Sequence, residues 1–363
     1  MPVNRRHFLR TTSLSMVAAA GSAVTWAQTG TDPGAPVPGS ARARDLDRDA
    51  RRKAGLESRS AAGPGIVTQG VWRDPDRQRD IPWRLRLPDT AVASGAVPLI
   101  LFSHGLGGSL EGGAEWSRAW AEAGLATLHL QHAGSDRAIW AGGLKAVKAA
   151  ASVEQLLARC RDVRFAVAQL LQLQQAGEAG WARIRPDALG MSGHSFGAHT
   201  TLAVAGRAFP ARLGSDLAEP RFKAFAAFSP AAGSNPDGLR TITRPMLCMT
   251  GSLDGDPLGS ERSGDYRRAV YEHLPPGAKA QLWLEGADHQ TFGGSGEVGA
   301  GRAARLAGRG RPEAPVALAD HHAAVIRSVT TDWWRCWLLN DAAARQRLQS
   351  PQGLAAGDAW QQG

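Results

Sequence analysis

The chain has 363 residues, 43% hydrophobic and 21% charged, with only three cysteines. That composition excludes wholesale disorder, a collagen-like repeat and a disulfide scaffold, and it is enough for one large domain with a well-buried core. The formal net charge of +9 is concentrated at the front, where Arg5, Arg6 and Arg10 face no acids and residues 41–59 carry seven basic side chains against four acidic ones; the body shows no basic face with interleaved aromatics, so a nucleic-acid partner is not expected.

In chain order, Asn4-Arg5-Arg6-His7-Phe8-Leu9-Arg10 runs into an alanine-rich apolar stretch over residues 14–27. The pattern looks like a twin-arginine export signal, 1–27. Its apolar run of about fourteen residues is short for roughly 30 Å of hydrocarbon, so removal after a small residue such as Ala27 is expected rather than a stable membrane anchor. The expected partner is the twin-arginine export machinery, and the mature protein is expected in the periplasm or secreted. Residues 28–65, rich in Pro, Gly, Ala, Arg and Asp, read as a flexible leader.

From Ile66 onward short apolar runs alternate with longer helical ones, the pattern of an α/β sheet. Strands are expected over 66–73 and 81–87, joined by Asp74-Pro75-Asp76 as a hairpin. Further strands are expected over 97–103, 125–130, 188–192, 222–228 and 245–250, with 280–285 as the last. Helices are expected over 115–123, 152–175 with a start signal at Ser152, 196–206 and 323–339. Nearly continuous apolar strands imply a mostly parallel central sheet with helices on both faces. The main domain is placed at 66–345 and a C-terminal tail at 346–363.

Gly193-His194-Ser195-Phe196-Gly197 falls where an expected strand turns directly into a helix. A serine at such a turn has strained backbone angles, its hydroxyl is pushed out of the sheet, and a helix N-terminus puts free amides beside it. Phe102-Ser103-His104-Gly105-Leu106-Gly107-Gly108 follows another strand, and a glycine-rich turn there offers amides to a developing oxyanion. The oxyanion hole is assigned to the amides of Leu106 and Phe196, with His104 bracing the turn. The base and acid are expected after later strands, in the order serine, acid, histidine. Asp254 is the acid, with Asp256 as competitor, and His289 is the base, following Gly286-Ala287-Asp288. Gly105, Gly107, His194 and Trp140 are expected to line the substrate, Trp140 from a connection over 133–151 that could form a wall or short lid.

These residues resemble the α/β-hydrolase superfamily from about Ile66 to Leu339. The turn at 102–107, Gln131-His132 after the next strand, and Gly193-His194-Ser195-Phe196-Gly197 look like the branch of platelet-activating-factor acetylhydrolases and dienelactone-hydrolase-like esterases. The resemblance implies an α/β-hydrolase fold and a serine esterase acting through an acyl-enzyme. The natural ester stays open: a short-chain ester, a phospholipid acetyl group, a lactone or a polymer. Two departures count against simple transfer. The acetylhydrolase acid follows the strand where this chain has Phe228-Ser229-Pro230, and dienelactone hydrolases use a cysteine where this chain has Ser195.

No cofactor is expected, because the Gly105-Leu106-Gly107-Gly108 turn lacks the glycine and acid that a dinucleotide fingerprint needs. No metal is expected either, since His321-His322 beside Asp320 is the only crowded donor set and adjacent helical residues diverge. A non-catalytic binding protein keeping the fold is the alternative of a different class. Cys248 reads as a small buried strand residue, whether Cys160 and Cys336 pair is open, and the Gly/Ala/Arg-rich insertion at 293–315 reads as a solvent loop.

Overall fold

The computed structural model describes residues 63–210, 217–259, 261–295 and 315–363. The expected export signal, nearly all of the expected leader and most of the 293–315 insertion lie outside those residues. The described residues belong to a single unit, Glu57–Gly363.

Strands β1 (Ile66–Asp74) and β2 (Arg79–Leu87) form the expected antiparallel hairpin, Ile66 facing Leu87 and Asp74 facing Arg79. Then follow β3 (Val97–Ser103), helix α1 (Ala114–Glu122), β4 (Ala126–Leu130), helix α2 (Gly143–Ala150) and the long α3 (Val153–Gln175). Next come β5 (Ile184–His194), α4 (Phe196–Val204), β6 (Phe222–Phe228), β7 (Met246–Leu253), α5 (Asp265–His273) and β8 (Lys279–Asp288). The chain closes with α6 (Ala319–Leu339), α7 (Ala342–Gln349) and β9 (Ala359–Gln362).

The sheet has nine strands in the order β1-β2-β4-β3-β5-β6-β7-β8-β9. The run from β4 to β8 is parallel, and the antiparallel pairs lie at the two edges. Every residue of β3 is buried. Its alternating side chains show why: Leu99 and Leu101 join the core cluster under α3, α4 and α5, while Ile100 and Phe102 join the cluster under α1 and α6. Each such large apolar side chain contributes about 1.5–3 kcal/mol by leaving water.

From β3 the chain moves to β4 on one side and to β5 on the other. A crevice opens at the carboxyl end of a parallel sheet where the winding reverses in this way, so the turn after β3 sits at the natural place for a ligand.

The structure departs from the sequence reading at several points, among them helix α2 inside the expected 133–151 connection. Strand β5 begins at Ile184 rather than at 188, because its first residues pair with β3 through Val97 and Ile184 before the apolar run starts. The expected last strand is not the last: β9 pairs antiparallel with β8, Ala280 against Gln362. The expected tail is therefore partly a sheet edge, tied down by Trp360 Nε1 donating to Leu348 O at 2.7 Å. The three cysteines are free and buried, with Cys160 and Cys336 in the clusters on opposite faces of the sheet.

Candidate active site

A single residue, Ser195, separates β5 from α4, at φ 56° and ψ −114°. An L-residue reaches that region only when its surroundings hold it there. Its amide donates to Phe228 O at 2.9 Å, and its carbonyl accepts from Ala198 N at 2.9 Å, so strand and helix both pin it. The flanking glycines are required by what passes beside them. A Cβ on Gly197 would lie 1.9 Å from Ser103 O, and one on Gly193 would lie 2.4 Å from Gly197 O. The end of β3 thereby comes directly against the elbow.

Beyond Ser103 the chain makes the glycine-rich turn. A Cβ placed on Gly105 would be 3.5 Å from Ser195 Cβ, so the turn lies against the serine. Gly107, at φ 71°, donates its amide to Ser135 O at 2.9 Å. Among the described residues, neither the Leu106 amide nor the Phe196 amide has a protein acceptor. Those are the two donors assigned to the oxyanion hole, and Phe196 is the first residue of α4, where an amide lacks an intrahelical partner.

Trp140 lies in a 3-10 turn, Arg137–Gly142, ahead of α2. Its indole N–H donates to Gly107 O at 2.9 Å, and a Cβ on Gly107 would meet it at 2.4 Å. Trp140 therefore lies directly on the glycine turn, braced against the expected hole. His194, expected to line the substrate, is buried and holds the carbonyl of His289 through Nε2 at 2.9 Å. Burial, then the neighbouring His289, pushes its pKa down to about 3, so it is a neutral strut beneath the expected base.

Asp254 and His289 each follow a strand. Leu253 of β7 pairs with Asp288 of β8, and the next residue of each strand carries the side chain in question, which brings them together. His289 Nδ1 lies 2.7 Å from Asp254 Oδ1. The second carboxylate oxygen accepts from Thr250 Oγ1 at 2.9 Å, and Arg267 Nε is 2.9 Å from Oδ1. Burial alone would raise the acid's pKa, but the charge of Arg267 and the bonded imidazole hold it below the usual carboxylate range. An ionised Asp254 makes Nδ1 the protonated nitrogen of neutral His289 and leaves Nε2 free to accept a proton. Asp256, the competing acid, accepts instead from Leu258 N in its own loop at 2.9 Å.

The imidazole of His289 lies against that of the residue before the serine, with 4.7 Å between its ring centre and that of His194 and the two planes inclined at 43°. No hydrogen bond reaches Ser195 Oγ among the described residues. Catalytic bonds of this type often close only with substrate in place. His321 and His322 diverge to separate partners, Asp358 Oδ2 at 2.7 Å and Glu285 O at 2.9 Å.

Sequence reasoning missed a second serine–histidine–aspartate chain. Ser103 Oγ lies 2.9 Å from His132 Nε2, and His132 Nδ1 lies 2.9 Å from Asp162 Oδ2. All three residues are fully buried. Asp162 also accepts from Arg77 and Arg79, and although burial opposes it, the bonds from His132 and Arg79 hold its pKa to about 2. Burial pushes His132 down to about 4. With no solvent face, this chain anchors the end of β3 and α3 rather than meeting a substrate. The available signal was a pair of charged residues, Arg159 and Asp162, inside the apolar stripe of α3.

No family model matches the chain, and no curated protein matches it in sequence.

Proposed function

We propose that this protein is a serine hydrolase of the α/β-hydrolase fold that cleaves carboxylic esters through an acyl-enzyme. The observation that carries this reading is Ser195 at a positive φ between strand and helix, beside two unpartnered amides, at the same edge of the sheet as the bonded His289–Asp254 pair.

Ser195 Oγ attacks the acyl carbon while His289 Nε2 takes its proton. The carbonyl oxygen gains negative charge and moves between the Leu106 and Phe196 amides, whose orientation is set before the reaction. Asp254 keeps the imidazole in the accepting tautomer and balances its positive charge. As the intermediate collapses, His289 returns the proton to the departing alkoxide oxygen. Water then enters, gives its proton to His289 and releases the acid by the same path in reverse.

A fluorophosphonate probe tests the reading. Labelling is expected at Ser195 alone, located by peptide mass spectrometry, and Ser195→Ala should abolish it. Label on Ser103, or none on the folded wild type, would defeat the proposal and favour a binding protein that keeps the fold.

We also propose that the chain is exported by the twin-arginine route, on the strength of Arg5-Arg6 and the apolar run behind them. No helix among the described residues is long and apolar enough to cross a membrane. Replacing both arginines with lysine should retain the protein in the cytoplasmic fraction; undiminished recovery from the periplasm would refute export by this route.

A further inference from the structure

Arg159 of α3 is fully buried, yet it makes no salt bridge among the described residues. Its hydrogen-bond acceptors are neutral. Nη1 donates to His104 O at 2.6 Å, Nη2 to Gly105 O at 3.3 Å and Ser135 O at 3.2 Å, and Nε to Ser135 Oγ at 2.8 Å. Removing a cation from water without a carboxylate is costly. Burial brings its pKa down only to about 9, so the guanidinium stays charged at neutral pH.

What the charge holds is the turn beside Ser195. Gly105 O receives Arg159 Nη2, the Gly108 amide at 3.2 Å and His104 Nδ1 at 2.6 Å. His104 is the donor in that bond, because its Nε2 accepts from the His132 amide at 3.0 Å, and burial, then the charge of Arg159, keeps the ring neutral. In a trans peptide the C=O and the following N–H point in opposite directions. With the Gly105 carbonyl fixed toward Arg159, the Leu106 N–H faces the other way. The same guanidinium lies 4.5 Å from the ring centre of Phe196, whose amide is the second assigned donor.

We propose that Arg159 is a positioning residue for the oxyanion hole, one buried cation that orients the Gly105–Leu106 peptide and braces Phe196. The inference rests on the serine-hydrolase reading. An oriented amide and a nearby positive charge stabilise the tetrahedral oxyanion more than the uncharged ester, so their effect belongs to turnover.

The test compares wild type, Arg159→Met, Arg159→Lys and Ser135→Ala on p-nitrophenyl acetate and with a trifluoromethyl ketone, which forms a tetrahedral adduct on a serine. Arg159→Met is expected to lower kcat about 10²- to 10³-fold, the loss typical of one oxyanion donor, with KM within about twofold. Affinity for the ketone should fall by a similar factor. Arg159→Lys, keeping the charge without the fork, should recover part of both. Should Arg159→Met not fold, Arg159→Lys and Ser135→Ala decide by the same split between kcat and KM. Folded variants with kcat within about threefold of wild type, or with KM raised and kcat unchanged, would overturn the proposal. A wild type that neither hydrolyses the ester nor takes a fluorophosphonate would instead fault the serine-hydrolase reading.

Discussion

Replacing Asp254 with asparagine is expected to lower kcat for a short ester by about 10³- to 10⁴-fold while leaving the protein folded. The reason is tautomeric. In the native site Asp254 Oδ1 accepts from His289 Nδ1 at 2.7 Å, so Nε2 carries the lone pair that the serine proton needs. An asparagine amide presents N–H groups to the same nitrogen, and Arg267 Nη2, already 3.2 Å from Nδ1, presents another. With donors on both sides Nδ1 becomes the acceptor, Nε2 takes the proton, and the base is lost without any change of shape. Asp256→Asn is the control: that carboxylate binds the amide of Leu258 in its own loop, and its loss should change kcat by less than about threefold. Steady-state kinetics on p-nitrophenyl acetate separates the two. Equal losses in both variants, or an Asp254→Asn enzyme within tenfold of wild type, would remove Asp254 from the proposed triad.

The three residues of that proposed triad were legible because each directly follows a strand. Val97–Ser103 and Phe222–Phe228 read correctly to the residue, since strands buried on both faces are almost wholly apolar and their ends coincide with the change of composition. Where a strand outruns its burial the signal fades. The first residues of β5, Ile184-Arg185-Pro186-Asp187, include exposed polar side chains, and β9 is four residues at an edge, paired on one side only. The turn proposed to bind the oxyanion was visible in its glycines, but what holds it was not. Arg159 and Asp162 stand out as charges inside the apolar stripe of α3, but their partners appear only when the topology brings the end of β3 and the turn after it onto that helix. Apolar spacing can mark where a charge is buried but not what meets it, here carbonyls from two distant segments, His104-Gly105 and Ser135. Trp140 shows the same limit. Its place in an Ala/Gly-rich connection suggests a wall of the substrate site but does not mark the bond its indole donates to the glycine turn.

Acid should unfold this protein well above the pH at which its carboxylates titrate, because of histidines the proposed chemistry does not use. His104, His129, His132 and His194 are all buried. Burial pushes His129 and His194 down to about 3, His132 to about 4 and His104 well below its ordinary value; arginines beside His129 and His104 add to the effect. In the unfolded chain each titrates near 6.5. Between about pH 6.5 and 4 the unfolded state therefore binds up to four more protons at these rings than the folded one. His199, also held to about 4 by burial, adds a fifth, and stability falls as pH falls. Each contributes a slope of up to about 1.4 kcal/mol per pH unit. Against a net stability on the order of 5–15 kcal/mol, such slopes acting together are enough to bring the unfolding midpoint into that window. Below about pH 4 the paired Asp162, held to about 2, adds its own loss in the same direction. Urea denaturation followed by tryptophan fluorescence at intervals from pH 8 to pH 4.5 measures the slope. His129 is the cleanest probe, since its ring lies against Phe102 and its Nδ1 meets Gly112 O at 3.0 Å, away from the serine. His129→Gln should lower stability at neutral pH and flatten the acid slope by about one proton. A stability that does not change between pH 7 and 5 in the wild type, or a slope untouched in that variant, would mean that these rings accept protons without leaving the core.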